Sequence, residues 1–220
     1  MAYILNIDTA TESASICISN DDVLINIAFN KNQKDHAAWI QPAIKNILAL
    51  SGLSLNDLAA VAVSIGPGSY TGLRIGLSTA KGLCYALNIP LIAIGTLDMM
   101  AIAGEKRDCD LICPMIDARR MEVYAALYKK DMEKVIFPSS FIVDSNLFVD
   151  ILEKNTVLFI GNGSNKFKYV THHANASFDN IEINSSLLIK ISNIRLRDSQ
   201  FDSLAYTEPM YLKNFYERGR

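Results

Sequence analysis

The chain has 220 residues, half of them hydrophobic and a fifth charged, with a formal net charge of −2. That composition supplies a sizeable core for one large domain or two small ones and excludes a disordered chain. With 21 basic against 23 acidic residues, it also excludes a protein that grips nucleic acid by its own charge surplus. If nucleic acid is involved, another subunit holds it.

Taken in chain order, "MAYILNIDTA" lacks a basic flank and its apolar run stops at Asp8, so it reads as a strand and not as a signal peptide. "SASICIS" and "DDVLINIAF" follow on either side of a turn at Asn20-Asp21, completing an antiparallel meander of three strands. Asp35 is positioned to cap a helix over 36–50, which carries Trp39, Ile40, Ala43, Ile44, Ile47 and Leu48 on one face and stops at Gly52. "LAAVAVSIG" is nearly continuous in apolar residues, the pattern of a strand covered on both faces. A glycine loop, a helix over 71–87, a further buried strand "IPLIAIG" and a short helix capped by Thr96 bring the first half to an end near Gly104.

The second half repeats the order. "DLICPMIDARR", "MEVYAALYKK" and "EKVIFPSSFIV" are strand candidates, Ser145 is positioned to cap a helix over "NLFVDILEKN", "TVLFIGNGS" is a strand running into a glycine loop, and "SSLLIKISNIRLRD" is mostly helix. A duplicated βββαβα order predicts an α/β fold of two lobes facing each other across a cleft, 1–104 and 105–220. The C-terminal "EPMYLKNFYERGR" reads as an extended tail with a basic tip, free to pack back on the first lobe. No run reaches the roughly 18 apolar residues of a membrane helix. Cys17, Cys84, Cys109 and Cys113 sit in or beside apolar stretches, and the C-x3-C spacing of the last two is not a metal knuckle. A cytoplasmic protein with reduced, buried thiols is expected.

The glycine loop, "GPGSYTGLRIG" at 66–76, admits two readings. As a phosphate cradle it lacks the lysine of a P-loop, has the wrong spacing for a dinucleotide fingerprint, and loses one backbone donor to Pro67. It still opens a helix whose first N–H groups favour anions. As a joint, it introduces a helix on which Gly72, Gly76, Ala80 and Cys84 recur every four residues. Interior glycine costs about 1 kcal/mol relative to alanine, so a smooth stripe of this kind requires a close neighbour, either a helix of the same chain or another chain.

Other chemistry is sparse. Asp8, Thr9 and Thr11 stand where actin-like and sugar-kinase-like ATPases handle metal and phosphate, yet no glycine lies nearby for the backbone to approach a phosphate. A turn held by Asp and Thr side chains is the simpler account of them. Asp117 and Arg119 form either a local pair that stabilises a turn or a functional contact. The histidines, His36, His172 and His173, offer neither H-E-x-x-H nor H-x3-H, and no G-x-S-x-G elbow occurs.

"IDTATESASICI", "GPGSYTGLRIG", "IDARRMEVYAALY" and "EPMYLKN" stand in the order and spacing of the TsaB (YeaZ) family, which the chain resembles from Ala2 to about Asn214. The resemblance implies an actin/Hsp70/sugar-kinase-like fold and a subunit that is not itself an enzyme. It implies a scaffold required for threonylcarbamoylation of adenosine 37 in tRNAs reading ANN codons. The partners implied are a TsaD-like catalytic subunit and a TsaE-like ATPase, with a homodimer when the chain is alone, tRNA only through the complex, and no membrane. No intrinsic cofactor is implied; ATP and a metal ion belong to the partners. The resemblance places the partner interface on Trp39, Ile40, Ile44, Ile47, Gly72, Arg74, Gly76 and Ala80. It leaves Asp8, Thr9, Thr11, Asp117 and Arg119 as remnants of a nucleotide cleft. The alternatives are an ATP-dependent phosphotransferase or ATPase working in that cleft and, more remotely, a peptidase.

Overall fold

The computed structural model describes residues 2–32 and 35–213; the basic tip of the tail lies outside the described residues. These fall into two compact units: residues within Met1–Met99 together with Ile183–Pro209, and residues within Met100–Glu182 together with Met210–Arg220.

The first unit is built on a five-stranded sheet of β1 (Tyr3–Asp8), β2 (Ala14–Asn20), β3 (Val23–Asn30), β4 (Leu58–Ser64) and β5 (Leu91–Ile94), in the spatial order β3-β2-β1-β4-β5. The meander β1–β2–β3 is antiparallel, and β4 and β5 join in parallel. Register decides which side chains face which way. Leu5 opposite Ile18 and Ile7 opposite Ile16 give one apolar face. The intervening residues Asn6, Ser15, Cys17 and Ser19 form the other, polar face, and all four are buried.

Helices α1 (His36–Leu50) and α2 (Tyr70–Leu87) cover the apolar face. On α1 the spacing of Ile40, Ala43, Ile44, Ile47 and Leu48 lays a continuous stripe onto the core, each large aliphatic side chain contributing about 1.5–3 kcal/mol by burial. Asp35 precedes α1 without a side-chain cap bond, and Gly52, at φ +68°, lets the chain leave the helix. Ser69 caps α2, its hydroxyl accepting from the Gly72 N–H, and Asn88 in the left-handed region closes it. A short helix, α3 (Thr96–Ile102), follows β5. Thr96 does not cap it as expected: its hydroxyl accepts from the Gly66 N–H, and its own N–H donates to the Gly66 carbonyl, so it fastens the glycine loop instead.

The second unit repeats the plan with β6 (Leu111–Asp117), β7 (Glu122–Lys129), β8 (Lys134–Ile142), β9 (Val157–Ile160) and β10 (Ala176–Asp179), ordered β10-β9-β6-β7-β8. This is the first sheet's sequence of antiparallel meander plus two parallel strands. Its core is aromatic, with Phe141, Phe148, Phe159, Phe167 and Phe178 in mutual ring contact. The helix expected over "NLFVDILEKN" shrinks to one turn, α4 (Val149–Leu152). Asp144, not Ser145, organises its approach by accepting from the Asn146 and Leu147 N–H groups. A further short helix, α5 (Ser164–Lys168), and β10 were not anticipated from sequence.

The boundary differs from a single break at 104, because residues 183–209 return to the first unit. They carry a 3-10 turn at Ser185–Leu187 and helix α6 (Leu188–Arg197), and they meet the polar face of the first sheet. Ser192 Oγ donates to Asn6 Oδ1 (2.8 Å), Asn6 Nδ2 donates to Ser19 Oγ (3.1 Å), and the Ser185 N–H donates to Ser15 Oγ (2.8 Å). Beyond α6, Asp202 bridges Leu91 on the outer edge of β5. Its carboxylate accepts from the Ala93 N–H (2.7 Å) and from Arg195 (2.9 Å), and Arg195 also donates to the Ala93 carbonyl (2.6 Å).

Candidate functional site

The parallel pairing of β1 and β4 brings their C-terminal ends side by side, with Ile7 opposite Val63. Asp8 therefore lies against Ser64, whose hydroxyl donates to Asp8 Oδ1 at 2.6 Å; the Ala10 N–H donates to the same oxygen at 3.1 Å. Oδ2 of Asp8 is buried with no partner among the described residues. Burial pushes this carboxyl above the usual carboxylate range, against the opposing pull of the bonds from Ser64 and Ala10. Thr9 is fully buried and its hydroxyl donates to the Gly72 carbonyl at 2.7 Å. Thr11 does not join them: its hydroxyl turns to the Ser13 carbonyl.

The glycine loop presses directly on this hairpin. A Cβ at Gly68 would overlap the Ala10 carbonyl, one at Gly72 the Thr9 carbonyl, and one at Gly76 the Thr9 hydroxyl. The Ser69 N–H donates to the Ala10 carbonyl at 2.7 Å, and the Gly72 N–H goes to Ser69 Oγ. The Ser69 and Gly72 donors at the start of α2 are thus already taken, and the space beside the loop glycines is filled by the backbone of the hairpin. The loop is a joint within the unit.

That geometry corrects the expected interface. Gly72, Gly76 and Ala80 are buried against their own sheet, Gly76 packing beside Ile7 and Val63. Ile40, Ile44 and Ile47 are likewise core residues, and Trp39 is half-buried against the same core. None of these seven presents an open stripe, because the side chains that give a helix its apolar periodicity are the ones its own sheet claims. Of the expected set, Arg74 is exposed, stacked over the Tyr70 ring at 3.9 Å. The outward row of α2 runs instead through Arg74, Ser78, Gly82 and Tyr85. Gly82 has nothing within reach of an added Cβ, and Tyr85 is 84% exposed. Beside it, α1 turns Ala38, Gln41, Lys45, Ala49 and the 70%-exposed Leu50 outward. Short side chains at Ser78 and Gly82, four apart, were the available signal for this row.

In the second unit, Asp117 ends β6 and does not pair with the Arg119 side chain. Its Oδ1 accepts from the Arg119 backbone N–H (2.6 Å) and from Lys166 Nζ (2.6 Å). Lys166 also donates to the Glu122 carbonyl (3.1 Å). Nothing in the sequence marks Lys166 for this task, since it lies 49 residues away. Arg119 and Arg120 both take left-handed backbone angles, φ +65° and +50°, a conformation that costs about 1–2 kcal/mol per residue for side chains with a Cβ.

Burial disfavours the thiolate at all four cysteines. Burial pushes Cys17 up to about 12 and Cys84 up to about 11, and raises Cys113 well above the ordinary thiol range, so all three stay uncharged near neutral pH. His36 is buried, its Nδ1 facing Asn30 Nδ2 and its Nε2 without a partner among the described residues. Burial holds it below the usual imidazole range. Among the described residues no group of three His, Cys, Asp or Glu side chains is placed to hold a metal ion, and no helix is long and apolar enough to cross a membrane.

Two α/β units, each a β3-β2-β1-β4-β5-type sheet from a βββαβα order, define the actin/Hsp70/sugar-kinase-like class. The solved structure of YeaZ from Pseudomonas aeruginosa superposes with a TM-score of 0.84 over 96% of this chain and 100% of that one, at 22% identity. Residues 23–205 match the family model "TsaD: tRNA N6-adenosine threonylcarbamoyltransferase". The "tRNA threonylcarbamoyladenosine biosynthesis protein TsaB" of Bacillus subtilis is 34% identical over 168 residues, 75% of this chain and 73% of that protein. The protein of the same name from Escherichia coli is 43% identical over 129 residues, 58% of this chain and 55% of that protein, so this match spans about half of the relative's length. The chain belongs to the TsaD family of that model and, within it, to the TsaB (YeaZ) branch.

Proposed function

We propose that the chain is a non-catalytic scaffold and dimerisation subunit for threonylcarbamoylation of adenosine 37 in tRNAs reading ANN codons. It serves a TsaD-like catalytic subunit and a TsaE-like ATPase, which supply the metal and use the ATP; alone, it pairs with a second copy. One observation carries the reading: the loop that would handle phosphate is closed on itself, with Gly68 and Gly72 seated on the Ala10 and Thr9 carbonyls. Asp8, Thr9 and Thr11, like Asp117 and Arg119, are remnants of a nucleotide cleft and take part in no catalytic step. The partner surface is the outward row of α1 and α2, with Arg74, Ser78, Gly82 and Tyr85 at its centre.

Reconstitution tests the proposal. Unmodified tRNA, the catalytic subunit and the ATPase are assayed for threonylcarbamoyladenosine with and without this chain. Product is expected only when the chain is present, and the chain alone should turn over no ATP. Steady ATP hydrolysis by the isolated chain would favour the alternative, an ATPase or phosphotransferase.

A further inference from the structure

The corner where β9 runs into α5 reads Gly161-Asn162-Gly163-Ser164 and holds the chain's single Asn-Gly pair. This is the most reactive setting for an asparagine side chain in water. No side chain on the glycine obstructs attack by its nitrogen on the neighbouring carboxamide carbon. The new C–N bond closes a succinimide ring, and Nδ2 leaves as ammonia, taking up the proton that the glycine nitrogen gives up. Water then opens the ring, giving aspartate or isoaspartate. In isoaspartate the main chain runs through the former side-chain carbon.

Packing forbids a less reactive residue at 163. A Cβ there would lie 2.8 Å from the Ile116 carbonyl carbon and 3.0 Å from the Asp117 nitrogen, and main chain does not yield as a flexible side chain does. The corner is therefore obliged to keep the hazardous pair.

The same packing holds both reacting groups. The Gly163 N–H, the nucleophile, donates to the Met115 carbonyl at 3.0 Å. Asn162 Oδ1, on the carbon under attack, accepts from the Asp117 N–H at 3.0 Å. Ring closure requires the nitrogen to lose its proton and the carboxamide to turn onto it, so both bonds to β6 have to break first. Ser164 keeps the turn shut, its N–H and its hydroxyl both donating to the Gly161 carbonyl, at 3.1 and 2.7 Å. Asn162 itself is exposed, so water is at hand and geometry alone restrains the reaction.

We infer that Asn162 is a fold-gated modification site, stable while this corner is closed on β6 and converted to isoaspartate when the corner opens. The product cannot restore the original contacts, because an extra backbone carbon separates two residues that both rest on the end of β6. Each opening that reacts is thus recorded permanently in the covalent structure.

The test incubates the full chain, folded and unfolded in guanidinium, in mildly alkaline heavy-oxygen water. Peptide mapping by mass spectrometry then follows label entering residue 162. The folded chain should react at least about tenfold more slowly than the unfolded one, since only its locally opened fraction is competent. Ser164→Ala, shown to be folded by circular dichroism, should react several-fold faster than folded wild type. Asn162→Ser should take up no label at this position. Equal rates in the folded and unfolded wild-type chain would overturn the inference, as would an unfolded chain that takes up no label. A folded Ser164→Ala chain reacting at the wild-type rate would also count against it, because the turn would then not gate the chemistry. Should that variant fail to fold, the wild-type comparison still decides.

Discussion

At the scale of single residues, the two kinds of glycine on α2 make opposite predictions. Gly72 is seated on the Thr9 carbonyl, and Gly82 faces open space. Gly72→Ala should destabilise the chain by about 1–3 kcal/mol, since backbone cannot yield to a methyl group as a flexible side chain can. Gly82→Ala, in an exposed helix interior, should stabilise it by about 1 kcal/mol. Urea denaturation of both variants measures the contrast. Asp8 makes a prediction about pH. Its folded-state pKa is raised above the ordinary value of 3.8, so the native chain binds this proton more tightly than the unfolded chain does. Stability from this group is complete below pH 3.8 and is lost as pH rises through the window above it. Asp8→Asn cannot ionise. Its urea midpoint should gain on wild type between pH 4 and pH 8, and a gap that stays constant over that range would show that Asp8 titrates normally.

At the scale of elements, periodicity made most of the fold legible. The strands of both meanders and the helices α1, α2 and α6 were readable because alternation and 3.6-residue spacing report a buried face directly. Short elements were not. α4, α5 and β10 have four or five residues each, too few to show a period. The candidate site failed for a subtler reason. The stripe of Gly72, Gly76 and Ala80 correctly signalled a close neighbour, but the neighbour is the hairpin and sheet of the same chain, and the surface left outside is the adjacent row. Likewise, an Asp–Arg pair read from adjacency is, in three dimensions, an Asp–Lys pair, because α5 supplies a lysine that no local spacing announces. The closure of β5 by Asp202 was also invisible, since it joins residues 109 apart. Asp202→Ala strands the Ala93 N–H and takes from Arg195 its carboxylate partner, leaving the guanidinium only its bond to the Ala93 carbonyl. It should cost about 1–3 kcal/mol and leave a free strand edge, so light scattering on heating should rise at a lower temperature than in wild type.

At the scale of the whole molecule, the question is which surface meets another chain. Gly76→Leu cannot answer it, because Gly76 lies inside the first unit and a leucine there has no room beside Ile7, Val63 and Thr9. Gly82→Leu can. The new side chain enters solvent in the isolated chain, so circular dichroism and thermal midpoint should stay near wild type while association with the catalytic subunit falls at least tenfold by size-exclusion chromatography or calorimetry. Unchanged association would move the docking surface away from the outer face of α2.

The path of the backbone has a consequence for synthesis on the ribosome. Strand β5 is translated by residue 94, and Asp202, which seals its edge, only about a hundred residues later. At ordinary elongation speeds that interval lasts roughly 5–20 s. The nascent sheet waits through it with an open border and an uncovered polar face. Whatever guards that border in the cell, a chaperone or the ribosome's own exit surface, acts on this protein before its last residues have been made.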